Sequence, residues 1–362
     1  MNIYVNGRFL TQPVTGVQRY ALELVKRWDQ LLVEGREDRE AYSLIVLSPP
    51  GAIHELDLKH IKIKQIGTFG GHAWEQLVLP AYARKGLLIN LCNTGPLLKG
   101  NQIATIHDAA VFEHPKSYSF VFRNAYKVIQ RVLGIRAHRI MTVSQFSKSQ
   151  LIEHYRIHEN KIKVISLGKE HMQIVEPDQD MLEDHGLVGQ DYVLAVSSMN
   201  PSKNFPNIVR AIDLLQQVDY RIVIAGGTNG KVFGTTDMPH SDKVKLVGYV
   251  TDRQLKALYD GAACFLFPSL YEGFGLPPLE AMACGTPVIV SRNASLPEVC
   301  GEATLYCDPD SPADIALKID RVMKDERLRE SLSARGLERS GQFSWDKCAK
   351  QTWDVVKEVV RT

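Results

Sequence analysis

The sequence predicts an α/β protein built from two doubly wound, Rossmann-like domains facing across a cleft. Three observations predict it. The chain has 362 residues, more than one hydrophobic core usually serves. Short β-branched runs alternate with longer helical patterns through both halves, as they do in a parallel sheet covered by helices. The alternation breaks once, between residues 169 and 191, where the sequence turns polar around Glu176-Pro177-Asp178-Gln179-Asp180.

In the first half, strands are expected at residues 3–5, 42–47, 103–106, 139–143 and 163–165. Helices are expected over 16–32 and 119–137, and another from an N-cap at Ser144. In the second half, strands are expected at 192–196, 220–225, 243–246, 263–267 and 287–290, with helices over 207–217 and 253–259. The tail from Trp345 onward carries Cys348, Ala349, Trp353, Val355, Val356, Val359 and Val360 on a helical face that needs a partner. The expected layout is therefore an N-terminal domain over 1–172, a C-terminal domain over 173–344, and a final helix over 345–362 packing back toward the first.

Hydrophobic residues at 44% and charged residues at 23% give the balance of a soluble globular protein. Forty-three Lys and Arg against forty-one Asp and Glu leave a net charge of +2, so nucleic acid is not an expected partner and any anion site must be local. Residues 1–7 read as a first strand and turn rather than an export signal. No run approaches the roughly 18 apolar residues that span a bilayer. A cytoplasmic protein is expected, at most peripheral at the inner face of the plasma membrane. The cysteines at 92, 264, 284, 300, 307 and 348 form no CxxC pair, which predicts reduced thiols without disulfide or zinc.

Ligands of open α/β sheets bind beyond the carboxyl ends of the strands. After the strand ending at Phe267 comes Pro268-Ser269-Leu270-Tyr271-Glu272-Gly273-Phe274-Gly275-Leu276-Pro277-Pro278-Leu279-Glu280. The glycines permit a tight turn with exposed amides, and the prolines suit the first turn of a helix whose positive end attracts phosphate. Glu272 and Glu280 bracket that helix start, and each carboxylate can accept hydroxyl hydrogen bonds. Two Asp-x-Asp pairs, Asp178/Asp180 and Asp308/Asp310, read as a polar connection and a helix cap rather than a metal site.

The stretch YEGFGLPPLEAMACGTPVI at 271–289, with seven residues between its two glutamates, resembles the signature of the family 4 retaining glycosyltransferases of GT-B fold. TGVQRYALEL at 15–24, IHD at 106–108, TVSQFSKSQL at 142–151, VISLG at 164–168, NPSKN at 200–204 and SLPEV at 295–299 match in the same order. The resemblance implies a nucleoside-diphosphate sugar as donor, with no metal and no separate cofactor. It implies that Glu280 binds the ribose and Glu272 a hydroxyl of the transferred sugar. Amides of Gly273, Phe274, Gly275 and Leu276 would meet sugar and diphosphate, and Lys203 would neutralise the diphosphate. Gly16 would approach the donor closely, and His107 would contact its sugar. Gly226 and Val250, with Tyr249, would line the base and sugar pocket. His107, Glu272 and Lys203 form the implied catalytic set.

The chain departs from the family at Ser198 and Ser202, where many members carry an arginine. Those serines would donate to the diphosphate, and Arg19 or Arg292 is the replacement cation to look for. Likeness in NGRFLTQ, TGVQRYA and PSKN points to GDP-mannose or a related GDP-sugar. The implied acceptor is a saccharide or a lipid-linked oligosaccharide in O-antigen or exopolysaccharide assembly. Two other readings remain open, a sugar-nucleotide 2-epimerase and a catalytically silent nucleotide-sugar binder. On the helix over 119–137, Arg123, Lys127 and Arg131 recur every four residues, a basic stripe suited to a lipid-linked acceptor or the inner membrane leaflet.

Overall fold

The computed structural model describes residues 1–35, 42–196, 200–215, 218–226 and 244–361. It divides into two compact units, one formed by Met1–Gly168 with the residues from Ser344 onward, the other by Lys169–Phe343. The first stretch ends four residues before the expected boundary at 172. Gly168 lies so close to the backbone of Trp345 that no side chain would fit, which holds it in the first unit. The next helix, Glu170–Ile174, packs instead on the helix Leu276–Ala283 of the second unit.

The first unit is a parallel sheet of seven strands: β1 (Asn2–Asn6), β2 (Ser43–Ser48), β3 (Lys62–Gln65), β4 (Leu87–Asn90), β5 (Gln102–Thr105), β6 (Arg139–Thr142) and β7 (Ile162–Val164), in the order β3-β2-β1-β4-β5-β6-β7. Central β1 pairs with both neighbours, Ile3 lying opposite Leu44 of β2 and Leu87 of β4. Two of these strands are absent from the sequence reading. The edge strand β3, Lys-Ile-Lys-Gln, is mostly exposed, and β4, Leu-Leu-Ile-Asn, is buried throughout but only four residues long. The chain runs outward from β1 to β3 and then crosses to β4 on the other side, which puts the topological switch point between β1 and β4.

The second unit repeats the plan with six parallel strands: β8 (Tyr192–Val196), β9 (Arg221–Ala225), β10 (Val244–Gly248), β11 (Cys264–Phe267), β12 (Val288–Ser291) and β13 (Leu305–Cys307), ordered β10-β9-β8-β11-β12-β13. Its switch point lies between β8 and β11. Strand residues Val193, Ala195, Leu266 and Ile289 share a core with Ile208 and Ile212 of the helix Phe205–Leu214 and with Ile315 and Ile319 of the helix Pro312–Lys324.

The last helix, Trp345–Arg361, returns to the first unit and lies against the helix Gly16–Val33. Trp345 and Trp353 are buried there, the Trp28 indole N–H donates to the Ala349 carbonyl at 3.0 Å, and the Trp28 and Trp353 rings stand 5.8 Å apart. Among the described residues no helix is long and apolar enough to cross a membrane.

Candidate active site

At the switch point of the second unit, the loops after β8 and β11 are tied together. Asn204 ends the turn Pro201–Lys203 in the left-handed region at φ 59° and is buried. Its side-chain amide donates to the carbonyls of Pro268 at 3.1 Å and Pro309 at 2.6 Å, while the Leu270 N–H donates to the Ser202 carbonyl at 2.8 Å. This framing brings Lys203 to Glu272, 69 positions away: Nζ donates to Oε1 at 2.5 Å and also lies 5.0 Å from the centre of the Phe267 ring. The two side chains keep 23% and 12% of their surface exposed. A cation and a carboxylate thus stand together at a partly open sheet edge, one able to neutralise phosphate and the other to accept hydroxyls.

The Ser295 hydroxyl lies 2.9 Å from the Glu272 carbonyl and 2.8 Å from that of Phe274, and holds the carbonyl side of the glycine loop. Gly273, Phe274, Gly275 and Leu276 are all buried in it. The helix Leu276–Ala283 starts from Gly275 at φ 105°. Pro277 and Pro278 carry no N–H, so of its first three residues only Leu276 can offer a helix-start amide, and anion binding must draw on the loop amides before it. A Cβ on Gly275 would lie 2.7 Å from Leu296 Cδ2 in addition to the left-handed strain. Gly275→Ala is therefore expected to cost about 2 kcal/mol of stability, read by urea denaturation, and to raise the donor KM. Wild-type values for both would contradict this account of the loop.

Glu280 lies deeper than a solvated helix residue. It is 6% exposed, with Oε1 accepting from His171 Nε2 at 2.8 Å and Oε2 from the Tyr259 hydroxyl at 3.2 Å. Tyr259 is fully buried on the helix Asp252–Gly261, and burial, then the adjacent Glu280 charge, pushes its phenol well above its usual range, so it stays a donor. His171 comes from the helix Glu170–Ile174.

The other expected donor contacts also follow strands. Gly226 succeeds β9 at φ 147° and donates its N–H to the Gly248 carbonyl at 2.7 Å; Val250 follows β10. Ser198 falls outside the described residues. Ser202 contributes its carbonyl to the Leu270 bond described above. Of the replacement cations, Arg292 stacks on Tyr306 at 4.4 Å, and Arg19 lies 3.9 Å from Glu23. The second Asp-x-Asp pair forms a turn in which Asp308 accepts from the Asp310 N–H at 3.0 Å.

In the first unit, Gly16 begins the helix Gly16–Val33, where Gln18 accepts the Thr15 N–H at 3.3 Å. His107 follows β5 and is 5% exposed. Its Nε2 donates to the Leu91 carbonyl at 3.0 Å, its backbone N–H donates to Asn93 Oδ1 at 2.7 Å, and Tyr20 packs edge-on at 4.9 Å. Burial pushes the imidazole down to about 4, against the Leu91 hydrogen bond, so the ring is neutral at pH 7 and presents Nδ1 as an acceptor.

Sequence reading missed the polar cluster at this unit's own switch point. Arg8, just past β1, and Glu75, on the helix Gly71–Leu77, are both buried, with Nε and Oε1 3.3 Å apart. Asn6 at 2.7 Å and Thr94 at 3.0 Å also donate to Glu75, and Arg8 donates to Thr94 at 2.8 Å. Guanidinium groups only donate, so His72 Nε2 accepts from Arg8 and its Nδ1–H donates to Glu75, each at 3.3 Å. Nearby, Tyr118, Phe122 and Tyr126 stack in a row on and before the helix Phe120–Arg136.

The expected basic stripe on that helix is divided. Lys127 Nζ sits 3.9 Å from the Phe112 ring and Arg123 5.6 Å from that of Phe120, while Arg131 is exposed. The outward line is apolar: Val121, Val128 and Ile135 are 77%, 57% and 69% exposed.

Known proteins resemble this chain. The family described as glycosyl transferases group 1 matches residues 178–339, which hold the Lys203, Glu272 and Glu280 loops. The O-antigen chain mannosyltransferase B of Escherichia coli is 31% identical, over 95% of this chain and 96% of its own. The O-antigen chain mannosyltransferase RfbU of Salmonella typhimurium is 30% identical over 71% of this chain and 69% of its own. Among solved structures, sucrose-phosphate synthase from Thermosynechococcus elongatus superposes with a TM-score of 0.76 at 18% identity, covering 100% of this chain and 99% of that one. With a relative this similar over nearly its full length, the chain belongs to the group 1 glycosyl transferases and carries their GT-B fold of two Rossmann-like domains.

Proposed function

We propose that the chain transfers a hexose, mannose by first choice, from a GDP-linked donor to a saccharide or lipid-linked saccharide, with retention of configuration, during assembly of a bacterial surface polysaccharide such as an O-antigen. The observation that carries the reading is the meeting of Lys203 with Glu272 at the β8/β11 switch point, beside the start of the Glu280 helix. The choice of mannose rests on the two O-antigen mannosyltransferase relatives.

Without donor, Lys203 and Glu272 neutralise each other. A bound donor exchanges both partners: its diphosphate takes the ammonium, and a hydroxyl of its sugar takes the carboxylate. As the sugar–phosphate bond breaks, Lys203 and the loop amides stabilise the charge that grows on the leaving diphosphate. That diphosphate accepts the proton of the incoming hydroxyl on the same face, so no second carboxylate, metal or organic cofactor is needed. Neutral His107 serves as a hydrogen-bond acceptor for the donor sugar rather than as an acid. The Arg8–Glu75 cluster and the Tyr118–Phe122–Tyr126 row, at the place where open sheets receive ligands, make the acceptor subsite.

A thermal-shift screen with GDP, UDP, dTDP and ADP tests the donor, since a nucleotide that binds the native state raises its Tm. GDP is expected to give the largest shift, and a clear UDP preference would overturn the donor assignment. Incubation with GDP-mannose and a mannose-terminated lipid-linked acceptor should then give an α-linked product by NMR. Isomerised donor formed without acceptor would instead favour an epimerase.

A further inference from the structure

We propose that His171 and Tyr259 are positioning residues that aim the Glu280 carboxylate at the ribose of the donor and so set the protein's preference for a ribonucleotide. The inference rests on the donor reading above and adds two residues to it. A carboxylate 6% exposed can adopt several rotamers only at the cost of losing its partners, and here each oxygen has its own donor: His171 Nε2 at 2.8 Å on Oε1 and the Tyr259 hydroxyl at 3.2 Å on Oε2. The two donors come from different elements, the helices Glu170–Ile174 and Asp252–Gly261, so the carboxylate plane is held from two directions. A carboxylate offers about four acceptor positions. Two used by protein donors leave two, the number a ribose needs for its neighbouring 2′ and 3′ hydroxyls.

The donors are themselves fixed. Tyr259 is fully buried, its ring meets Phe265 edge-on at 5.4 Å, and its backbone carbonyl accepts from the Thr286 hydroxyl at 2.8 Å. Its raised phenol remains protonated over the whole working range, so it donates at every pH of interest. His171 is 5% exposed, and because a carboxylate only accepts, its Nε2 carries the proton. A side chain whose sole task was to fill space between the Glu170–Ile174 and Leu276–Ala283 helices would not need that proton at that nitrogen. A positioning role does need it.

The test compares binding of a nucleoside diphosphate with binding of its 2′-deoxy analogue, using the full chain and calorimetric titration with GDP and 2′-deoxy-GDP. Wild type is expected to prefer GDP by about tenfold or more, the usual worth of one hydrogen bond to a charged group. In His171→Ala and in Tyr259→Phe, which keeps the ring and removes only the donor, the preference should fall to about twofold, with the loss in GDP affinity and little change for the deoxy analogue. His171→Gln, whose amide can still donate, should recover most of the preference. In turnover, the donor KM should rise more than kcat falls. If the alanine variant does not fold, the glutamine and phenylalanine variants carry the test. A ribose preference unchanged in His171→Ala and Tyr259→Phe overturns the positioning role while leaving the donor site in place. Failure of wild type to bind GDP or the other nucleoside diphosphates of the screen overturns the donor reading itself.

Discussion

Lys203→Ala is expected to lower transfer turnover about 100- to 1000-fold, the scale lost when one preorganised donor to a developing oxyanion is removed, while the Tm moves by only a few degrees. The two halves of this expectation have separate causes. The Lys203–Glu272 pair is partly open to solvent on both sides, and a pair of that kind contributes about 0–1 kcal/mol to folding. Its catalytic weight is greater because the diphosphate, already anionic in the bound donor, gains a further negative charge as the bond to the sugar breaks, so an ammonium beside it favours the transition state over the ground state. Lys203→Arg tests geometry as well as charge, since the planar guanidinium fork cannot place its donors where a compact ammonium sits. Turnover at saturating donor and acceptor is the measurement, with circular dichroism to confirm the fold. A Lys203→Ala enzyme that turns over at the wild-type rate would remove the lysine from the reaction.

Glu75→Ala carries the largest expected cost to stability, about 3–5 kcal/mol, because it leaves the Arg8 charge buried without its counter-ion. The pH dependence follows from Glu75 itself. Burial pushes its carboxyl up, but the His72 hydrogen bond, the Arg8 charge and the Asn6 hydrogen bond outweigh burial and hold it below the ordinary glutamate range. A carboxyl lowered in the folded state stabilises the protein fully above its unfolded value of about 4.3 and loses that contribution as the pH falls through the folded value. In urea titrations, the gap between wild type and Glu75→Gln should therefore hold steady from pH 8 to about 5 and shrink below about 4. A gap unchanged down to pH 3 would mean that Glu75 is not ionised in the native protein. If the cluster braces the acceptor subsite as proposed, Glu75→Gln should also raise the acceptor KM more than the donor KM.

What could be read in advance was what is local along the chain. The strand into Phe267, the glycine turn and the helix start are contiguous, so their chemistry is visible from residues 263 to 280 alone. Lys203 is different. The resemblance named it through NPSKN, but its place beside Glu272 depends on the tie between Asn204 and Pro268, a contact 64 positions apart that no spacing reveals. His171 lies in the polar connection that marked the domain break, where nothing distinguishes a buried donor from a solvated histidine. Arg8 and Glu75 escaped for the same reason: one sits in a short turn, the other on a seven-residue helix, and only the order of β1 beside β4 brings them together. For the stripe of Arg123, Lys127 and Arg131, periodicity counts charges on a face without seeing that two of them lie against aromatic rings.

The return of the helix Trp345–Arg361 to the first unit also bears on how the chain is made. Residues 169–343 are continuous, so the second unit draws its core from one stretch of chain, whereas the first draws on two stretches far apart in sequence. The first unit begins earlier and finishes later. Until residues 345–361 leave the ribosome, the Trp28 indole N–H lacks its carbonyl, and the side of the helix Gly16–Val33 that will meet Trp353 stays open to water. The part of the protein translated first is thus closed by the part translated last, so a break in the helix Trp345–Arg361 is felt in the N-terminal unit rather than in the unit next to it in sequence.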